Sequence, residues 1–333
     1  MTKESDTWVL ALAAGEGGRL RALRTAASGA FVPKQFCSLY EGPSLLHATL
    51  CRARTVATED RICLVASDQH RRWWKAAPWL LPPENVIVEA ENGCTGLGIV
   101  LPLLHIPSQT PEARFVLFPS DHPVRNAAVL SAALQGALEH LAEHPGDIVL
   151  LGASPEELDP GLGYIVPGPV DERGVLMIER IVEKPSLTLA NELARAGGFW
   201  NISIVVSTRL ALIDRVRERF PEIVSVMTDA FEPGRREGSE ETAIAELYQK
   251  LPAVEFSRDI LTEQVPGLRV RPLQPCGWSD LGTSKRVAAT PRGGPRPVGD
   301  TSKRVSAGYL SLTDQYARTR ARDGAAMRPV GPR

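Results

Sequence analysis

Apolar and polar positions alternate along this chain in two distinct rhythms. "TWVLALAA", "RICLVAS", "NVIVEA", "RFVLFPSDH" and "GDIVLLGAS" are short apolar runs bounded by turn residues, the pattern of buried strands. Between them lie stretches of helical spacing. In "SLLHATLCRARTV", Leu45, Leu46, Thr49, Leu50 and Ala53 fall on one face. "HRRWWKAAPWLL" reads as an amphipathic helix, and "NAAVLSAALQGALEHLAEH" as a long one. Strand and helix in alternation predict an α/β fold with a mainly parallel sheet flanked by helices. After Gly152 the rhythm tightens. "GYIVPG", "VLMIERIVEKP" and "WNISIVVS" follow one another closely, which predicts a small antiparallel insertion. Helical spacing returns in "TRLALIDRVRERF" and "ETAIAELYQKL".

From about residue 291 the texture changes again. Residues 291–333 carry nine Lys/Arg against three Asp and are punctuated by Pro and Gly, which predicts a flexible basic tail. A nucleic-acid-binding arm is the alternative for this segment, but charge runs are more often simply solvated. The expected organisation is one domain over 1–290, with a first half at about 7–150 and a second half at about 151–288.

Composition narrows the picture. The 333 residues have a net charge of −1 and 43% hydrophobic content, ordinary for a globular chain with a sizeable core. The balanced charge gives no global attraction for nucleic acid or acidic lipid. No apolar run reaches the length of a membrane span. The first apolar stretch has no cationic start before it, so it reads as a strand and not a leader peptide. The five cysteines are scattered and form no CxxC, which points to thiols in a reducing compartment and to a cytoplasmic protein.

The candidate chemistry lies at strand ends. "LAAGEGGRL" is a strand followed by small residues, glycines and an arginine. Ala14, Gly15 and Gly17 can bring backbone N–H groups to a phosphate, although the same turn suits any α/β protein. The pattern is neither GxGxxG nor a P-loop. Arg19 and Lys34, the latter behind Pro33 in "PKQF", form a pair of cations suited to an anion. Asp121 ends the apolar strand of "VLFPSDHPV", where ligands bind in open α/β sheets. It is placed either to hold Mg²⁺ among phosphates or to cap the following helix. Asp280, in "WSDLG", is a second acid for the same metal.

The order "LAAGEGGRL … PKQF … FPSDH … GYI … VEKP … WN … WSDLG" resembles the sugar nucleotidyltransferases, and PKQF resembles their mannose-1-phosphate guanylyltransferase branch. The resemblance covers roughly residues 7–288. It implies a Rossmann-like, GT-A-like fold. It implies transfer of a nucleotidyl group from a nucleoside triphosphate, GTP first, to a sugar 1-phosphate, mannose 1-phosphate first, with release of pyrophosphate. By the same resemblance Arg19 and Lys34 hold the triphosphate, and Asp121 and Asp280 bind Mg²⁺. Ala14, Gly15 and Gly17 belong to the nucleotide turn, with Glu89 and Thr95 near the nucleotide. Gly163, Glu183, Lys184 and Asn201 hold the sugar phosphate. Nucleic acid and a membrane are not expected partners, and a homodimer is left open.

This chain departs from the family pattern at Ala14, where a glycine is usual. It departs again at Ile202 and Ser203, where Ser-Gly often follows the asparagine. The family's Glu-Pro and Asn-Thr stand here as Glu89-Ala90 and Cys94-Thr95. The rival readings are a non-catalytic sugar-nucleotide-binding regulatory protein on the same fold, or a pyrophosphorylase for another base and sugar. His140 and His144 have the spacing of a metal pair but also suit a helix C-terminus. "RRWW" could stack bases, though its tryptophans more often pack on a core.

Overall fold

The computed structural model describes residues 6–15, 31–38, 43–75, 81–89, 94–106, 113–171, 175–231, 246–261 and 266–289. Among the described residues, nine strands form one sheet. In chain order they are β1 Thr7–Ala13, β2 Ile62–Ser67, β3 Val86–Glu89, β4 Arg114–Pro119, β5 Ile148–Ala153, β6 Gly163–Val170, β7 Leu176–Val182, β8 Phe199–Thr208 and β9 Leu268–Leu273. The spatial order is β3-β2-β1-β4-β8-β5-β9-β7-β6.

The first four strands are mutually parallel, as the strand–helix rhythm predicts. β1 is apolar on both faces. Val9, Ala11 and Ala13 enter one core, with α1 (Leu45–Ala53) and α4 (Ala127–Glu143). Leu10 enters the other, with α3 (Cys94–His105), α5 (Arg209–Arg219) and α6 (Pro221–Phe231). A strand covered on both sides must be a continuous apolar run, and "TWVLALA" is one. Leu45, Leu46, Thr49, Leu50 and Ala53 of α1 are all buried, the face that the spacing predicts. Burying each of these leucines is worth about 1.5–3 kcal/mol.

The rest of the sheet is mixed, which corrects the expectation of a mainly parallel sheet with a small antiparallel insertion. β8 is antiparallel and sits in the middle, between β4 and β5. Its first residues also pair with β6, antiparallel. The contacts β5–β9, β9–β7, β7–β6, β6–β8 and β8–β5 therefore close a circuit of five strands. β8 serves both the open and the closed part because it bends. Its register against β5 shifts between Leu150 and Gly152. Opposite that shift Ser203 has φ 59°, a left-handed conformation typical of bulges. Residue 150, near the expected boundary between halves, lies inside β5, so one sheet runs through both.

No helix among the described residues is long and apolar enough to cross a membrane. Cys37, Cys51, Cys63 and Cys276 form no disulfide. Of the expected helix over "HRRWWKAAPWLL", only α2 (Arg71–Trp74) lies within the described residues. Trp74 is buried and its Nε1 donates to the Ser67 carbonyl (2.9 Å), while Trp73 packs against the core. The tryptophans are thus core residues. His140 is paired with Asp147 (2.8 Å) and His144 ends α4, a helix-end role and not a metal cage. The tail 291–333 lies outside the described residues.

Candidate active site

The site is built at the carboxyl ends of β1 and β4. The 3₁₀ turn Lys34–Phe36 sits beneath it, with Phe36 anchored in the core. Gln35 was not singled out in the sequence, yet its Nε2 donates to the carbonyls of Ala13 (2.6 Å) and Gly15 (3.0 Å). It thereby fixes the path of the chain as it leaves β1. Gly15 is exposed, and a Cβ there would meet nothing within 4 Å. Ala14 is half-buried beside it. Gly17 and Arg19 lie outside the described residues.

Lys34 is 4% exposed. Its Nζ donates to Asp121 Oδ2 (2.8 Å) and to the main-chain carbonyl of Asp280. An ammonium has three N–H donors, and these contacts use two of them. Burial alone would raise the Asp121 carboxyl. The Lys34 ammonium, and then His122, outweigh that and hold it well below the usual carboxylate range. Asp121 does not cap the following helix. The N-cap of α4 is Asn126, whose side chain accepts from the Val129 N–H (3.4 Å).

The loops carrying the two acids are laced together. The N–H groups of Arg125 and Asn126 both donate to the Cys276 carbonyl (3.1 and 2.9 Å). That of Ser279 donates to the Pro123 carbonyl (3.2 Å). Gly277 allows the approach: it has φ 65°, and a Cβ would lie 2.9 Å from the Arg125 side chain. Arg52 of α1 steadies the first loop from below, donating through Nη2 to the His122 carbonyl (3.0 Å).

Asp280 is reached by Lys34 through its backbone, not its carboxylate. That carboxylate has no exposed surface and accepts from Arg286 Nη1. Arg286 stands on the short helix Ser284–Ala289. It also contacts Asp159 Oδ2 (2.8 Å) and Glu157 Oε1 (3.0 Å), and its guanidinium lies 5.0 Å from the centre of the Trp200 ring. Burial acts to lower its basicity, and Asp280, Asp159 and Glu157 more than offset this.

The second group of expected residues converges on the start of β8. Asn201 Nδ2 donates to Glu183 Oε1 (3.3 Å) and Ser257 Oγ (3.2 Å), and its Oδ1 accepts from the Ser203 N–H (3.0 Å). Gly163 lies against Glu183, where a Cβ would fall 2.6 Å from Oε1. Burial raises the Glu183 carboxyl above its ordinary value. Lys184 is exposed, with φ 45°. Ser257 belongs to a π-turn, Phe256–Ile260, which had no signal in the sequence. Such turns collect at functional sites. Thr95 is tied to the same turn: its Oγ1 contacts Glu255 Oε2 (3.2 Å) and accepts from the Phe256 N–H (3.1 Å). Glu89 is 2% exposed and faces inward. A Cβ on Gly98 of α3 would fall 2.1 Å from its Oε1, so only glycine admits the carboxyl there. Burial pushes that carboxyl up to about 8, and the nearby Tyr248 hydroxyl opposes the rise.

A divalent cation fits this arrangement in part. Mg²⁺ needs only one or two protein carboxylates and completes its shell with phosphate oxygens and water. Asp121, with a side chain 28% exposed, offers such an oxygen. Asp280 does not while Arg286 is on it. Among the described residues no three His, Cys, Asp or Glu side chains converge as a cage.

These features have counterparts among known proteins. The nucleotidyl transferase family model matches residues 9–290. The chain is 28% identical over 284 residues to the xanthan biosynthesis protein XanB of Xanthomonas campestris pv. campestris (strain B100), covering 84% of this chain and 58% of that protein. It is 25% identical over 291 residues to the mannose-1-phosphate guanylyltransferase of Escherichia coli (strain K12), covering 84% and 59%. The chain thus spans a little under three fifths of the length of these relatives. The crystal structure of mannose-1-phosphate geranyltransferase from Thermus thermophilus superposes with a TM-score of 0.69 at 27% identity, covering 86% of this chain and 80% of that one. With the family's model matched across most of its length, and with an α/β sheet of the family's type, the chain belongs to the nucleotidyl transferase family.

Proposed function

We propose that this chain transfers a nucleotidyl group from GTP to mannose 1-phosphate, releasing pyrophosphate. The observation that carries the reading is the buried Lys34 ammonium, held between Asp121 and the Asp280 carbonyl at the carboxyl ends of the parallel strands. An ammonium fixed there, in little water, offsets negative charge strongly.

An oxygen of the sugar phosphate attacks the α-phosphorus in line, and the bond to pyrophosphate breaks. The attacking group is already an anion, so no general base and no covalent enzyme intermediate are required. The work of the protein is orientation and charge neutralisation. Lys34 faces the reacting phosphates, and the family resemblance adds Arg19 as a second cation for them. The exit from β1, whose path Gln35 fixes, receives the nucleotide. Glu183, Asn201 and Lys184 hold the sugar phosphate, against Gly163. Mg²⁺ would be held by Asp121, with Asp280 behind it, and when bound it shields the phosphate charge. Cysteines that form no disulfide are consistent with a cytoplasmic reaction. The names of the curated relatives favour GTP and mannose 1-phosphate over other pairs.

The test is a panel of the four common nucleoside triphosphates against several sugar 1-phosphates with Mg²⁺, read as pyrophosphate release. GTP with mannose 1-phosphate should give the highest rate. Tight GTP binding without pyrophosphate from any pair would instead favour a non-catalytic sugar-nucleotide-binding protein.

A further inference from the structure

Two carbonyls at the exit from β1 share one donor. Gln35 is 2% exposed, and its Nε2 carries two N–H bonds. One meets the Ala13 carbonyl (2.6 Å) and the other the Gly15 carbonyl (3.0 Å). An amide oxygen does not bond to carbonyls, so these partners fix which way round the Gln35 amide sits. The two anchors differ in stiffness. Ala13 is the last residue of β1 and pairs with Ala66 of β2, so its carbonyl belongs to the sheet. Gly15 is exposed, and a Cβ there would meet nothing within 4 Å, so its carbonyl has room to turn to either side. Gln35 ties the loose carbonyl to the fixed one.

That tie sets the polarity of the turn. A carbonyl oxygen is the negative end of a peptide dipole and repels phosphate, whereas an N–H attracts it. With the Gly15 carbonyl held on Gln35, its oxygen is kept off the open side. The peptide from Ala13 to Ala14 is trans, so the Ala14 N–H points opposite to the Ala13 carbonyl, away from Gln35. It lies past the last paired residues of β1, which are Leu12 against β4 and Ala13 against β2. Acceptors face inward and a donor faces out.

We propose that Gln35 is a positioning residue for the nucleotide: it turns the Ala13 and Gly15 carbonyls inward so that the Ala14 N–H meets a hydrogen-bond acceptor of the nucleotide. The proposal rests on the transferase reading above, in which the exit from β1 receives the nucleotide. Neighbouring residues of one 3₁₀ turn then divide the work. Lys34 meets charge at the reacting phosphates, and Gln35 acts only on nucleotide affinity.

GTP affinity of the full chain by equilibrium dialysis, with steady-state kinetics beside it, tests this. Gln35→Met keeps the length of the side chain and removes both donors. It should weaken GTP binding by about tenfold, the scale of one or two lost hydrogen bonds, and raise the KM for GTP to match. The kcat and the KM for mannose 1-phosphate should stay within about threefold of the wild type. Phe36→Leu loosens the same turn at its core anchor, and should leave GTP affinity within about twofold. A Gln35→Met chain that binds GTP as tightly as the wild type would overturn the proposal. So would equal losses in Gln35→Met and Phe36→Leu, or a loss shared equally between the two substrates, since either describes a turn that is merely loosened. Should Gln35→Met fail to fold, hydrogen exchange in the wild type decides. GTP at saturation should slow exchange of the Ala14 amide by about tenfold or more, and an unchanged rate sinks the proposal. Tripolyphosphate and guanosine, added separately, assign the acceptor to phosphate or to base according to which one protects that amide. Binding and pyrophosphate release are read apart, so a wild type that binds GTP yet releases no pyrophosphate removes the transferase reading while the affinity result on Gln35 still stands or falls by itself.

Discussion

Replacing Lys34 by glutamine removes the charge that the candidate site is built around. The side chain is 4% exposed and meets Asp121 at 2.8 Å, so the ammonium and the carboxylate form a pair largely withdrawn from water. Breaking one side of a fully buried pair costs about 3–5 kcal/mol, because the other charge is stranded. Asp121 keeps 28% of its side-chain surface, and water there lowers the cost to about 2–3 kcal/mol. The pH dependence gives a sharper check. The folded Asp121 carboxyl sits well below its ordinary value, so between the folded and unfolded pKa values the unfolded chain binds the extra proton. The pair's stabilisation is therefore fully present above the unfolded value, near pH 4, and is lost as pH falls through the depressed folded one. Lys34→Gln lets the carboxyl rise, and the stability gap between wild type and variant should narrow as pH falls from about 4 toward the depressed folded value. Urea unfolding at several pH values measures it. A gap that stays constant with pH would show that Lys34 and Asp121 are not coupled. In the same variant turnover should fall by on the order of a hundredfold, with a smaller loss of GTP affinity. Turnover that survives intact would remove Lys34 from the reaction.

Asp121→Asn should leave the fold in place and lower turnover by on the order of a hundredfold at limiting Mg²⁺, since it withdraws the accessible oxygen ligand; a wild-type rate there would exclude Asp121 as a ligand. Glu89→Gln reports on the inward carboxyl, whose folded pKa of about 8 lies above its unfolded value, so that wild-type stability falls as pH rises between the two. The variant should gain on the wild type from pH 5 to pH 8, by on the order of 4 kcal/mol, and parallel stability curves would contradict the burial described. Ser203→Gly should raise stability by about 0.5–1 kcal/mol, because glycine adopts φ 59° without strain; a lowered urea midpoint would count against strain at this bend.

Where the fold could be read from the sequence, one simple reason applies. β1, β2, β4 and β5 are apolar runs of strand length, and α1 shows its buried face in its spacing. α3 escaped because it has no such contrast. It is apolar nearly all round, with Leu97, Ile99, Val100, Leu101 and Leu103 all buried, and it contains Pro102, which reads as a break. β9 escaped because Arg269, Arg271 and Pro272 interrupt its apolar positions. The central place of β8 was hidden for a different reason. Closeness in sequence suggested an antiparallel group with β6 and β7, and β8 does pair with β6, but its other partners, β4 and β5, lie about 50 or more residues upstream and are chosen by tertiary packing.

The candidate site divides along the same line. Lys34 and Asp121 were legible because a cation behind a proline and an acid at a strand end are chemically conspicuous, and the fold brings them to 2.8 Å. Gln35, Arg52 and Arg286 act on carbonyls and on other side chains, and no spacing announces such partners. Arg286 stands only six positions from Asp280, yet the contact exists because the short helix Ser284–Ala289 turns it back over the acid. The backbone marks the site independently. Among the described residues the non-glycine positions with positive φ are Lys184, Ser203 and Leu281. They adjoin Glu183, Asn201 and Asp280. A left-handed residue other than glycine costs on the order of 1–2 kcal/mol and persists only where its surroundings fix it. At Ser203 the strain coincides with the register shift between β5 and β8. The serine thus keeps a conformation that the bend of β8 demands, and that bend aims the Asn201 amide at Glu183 and Ser257.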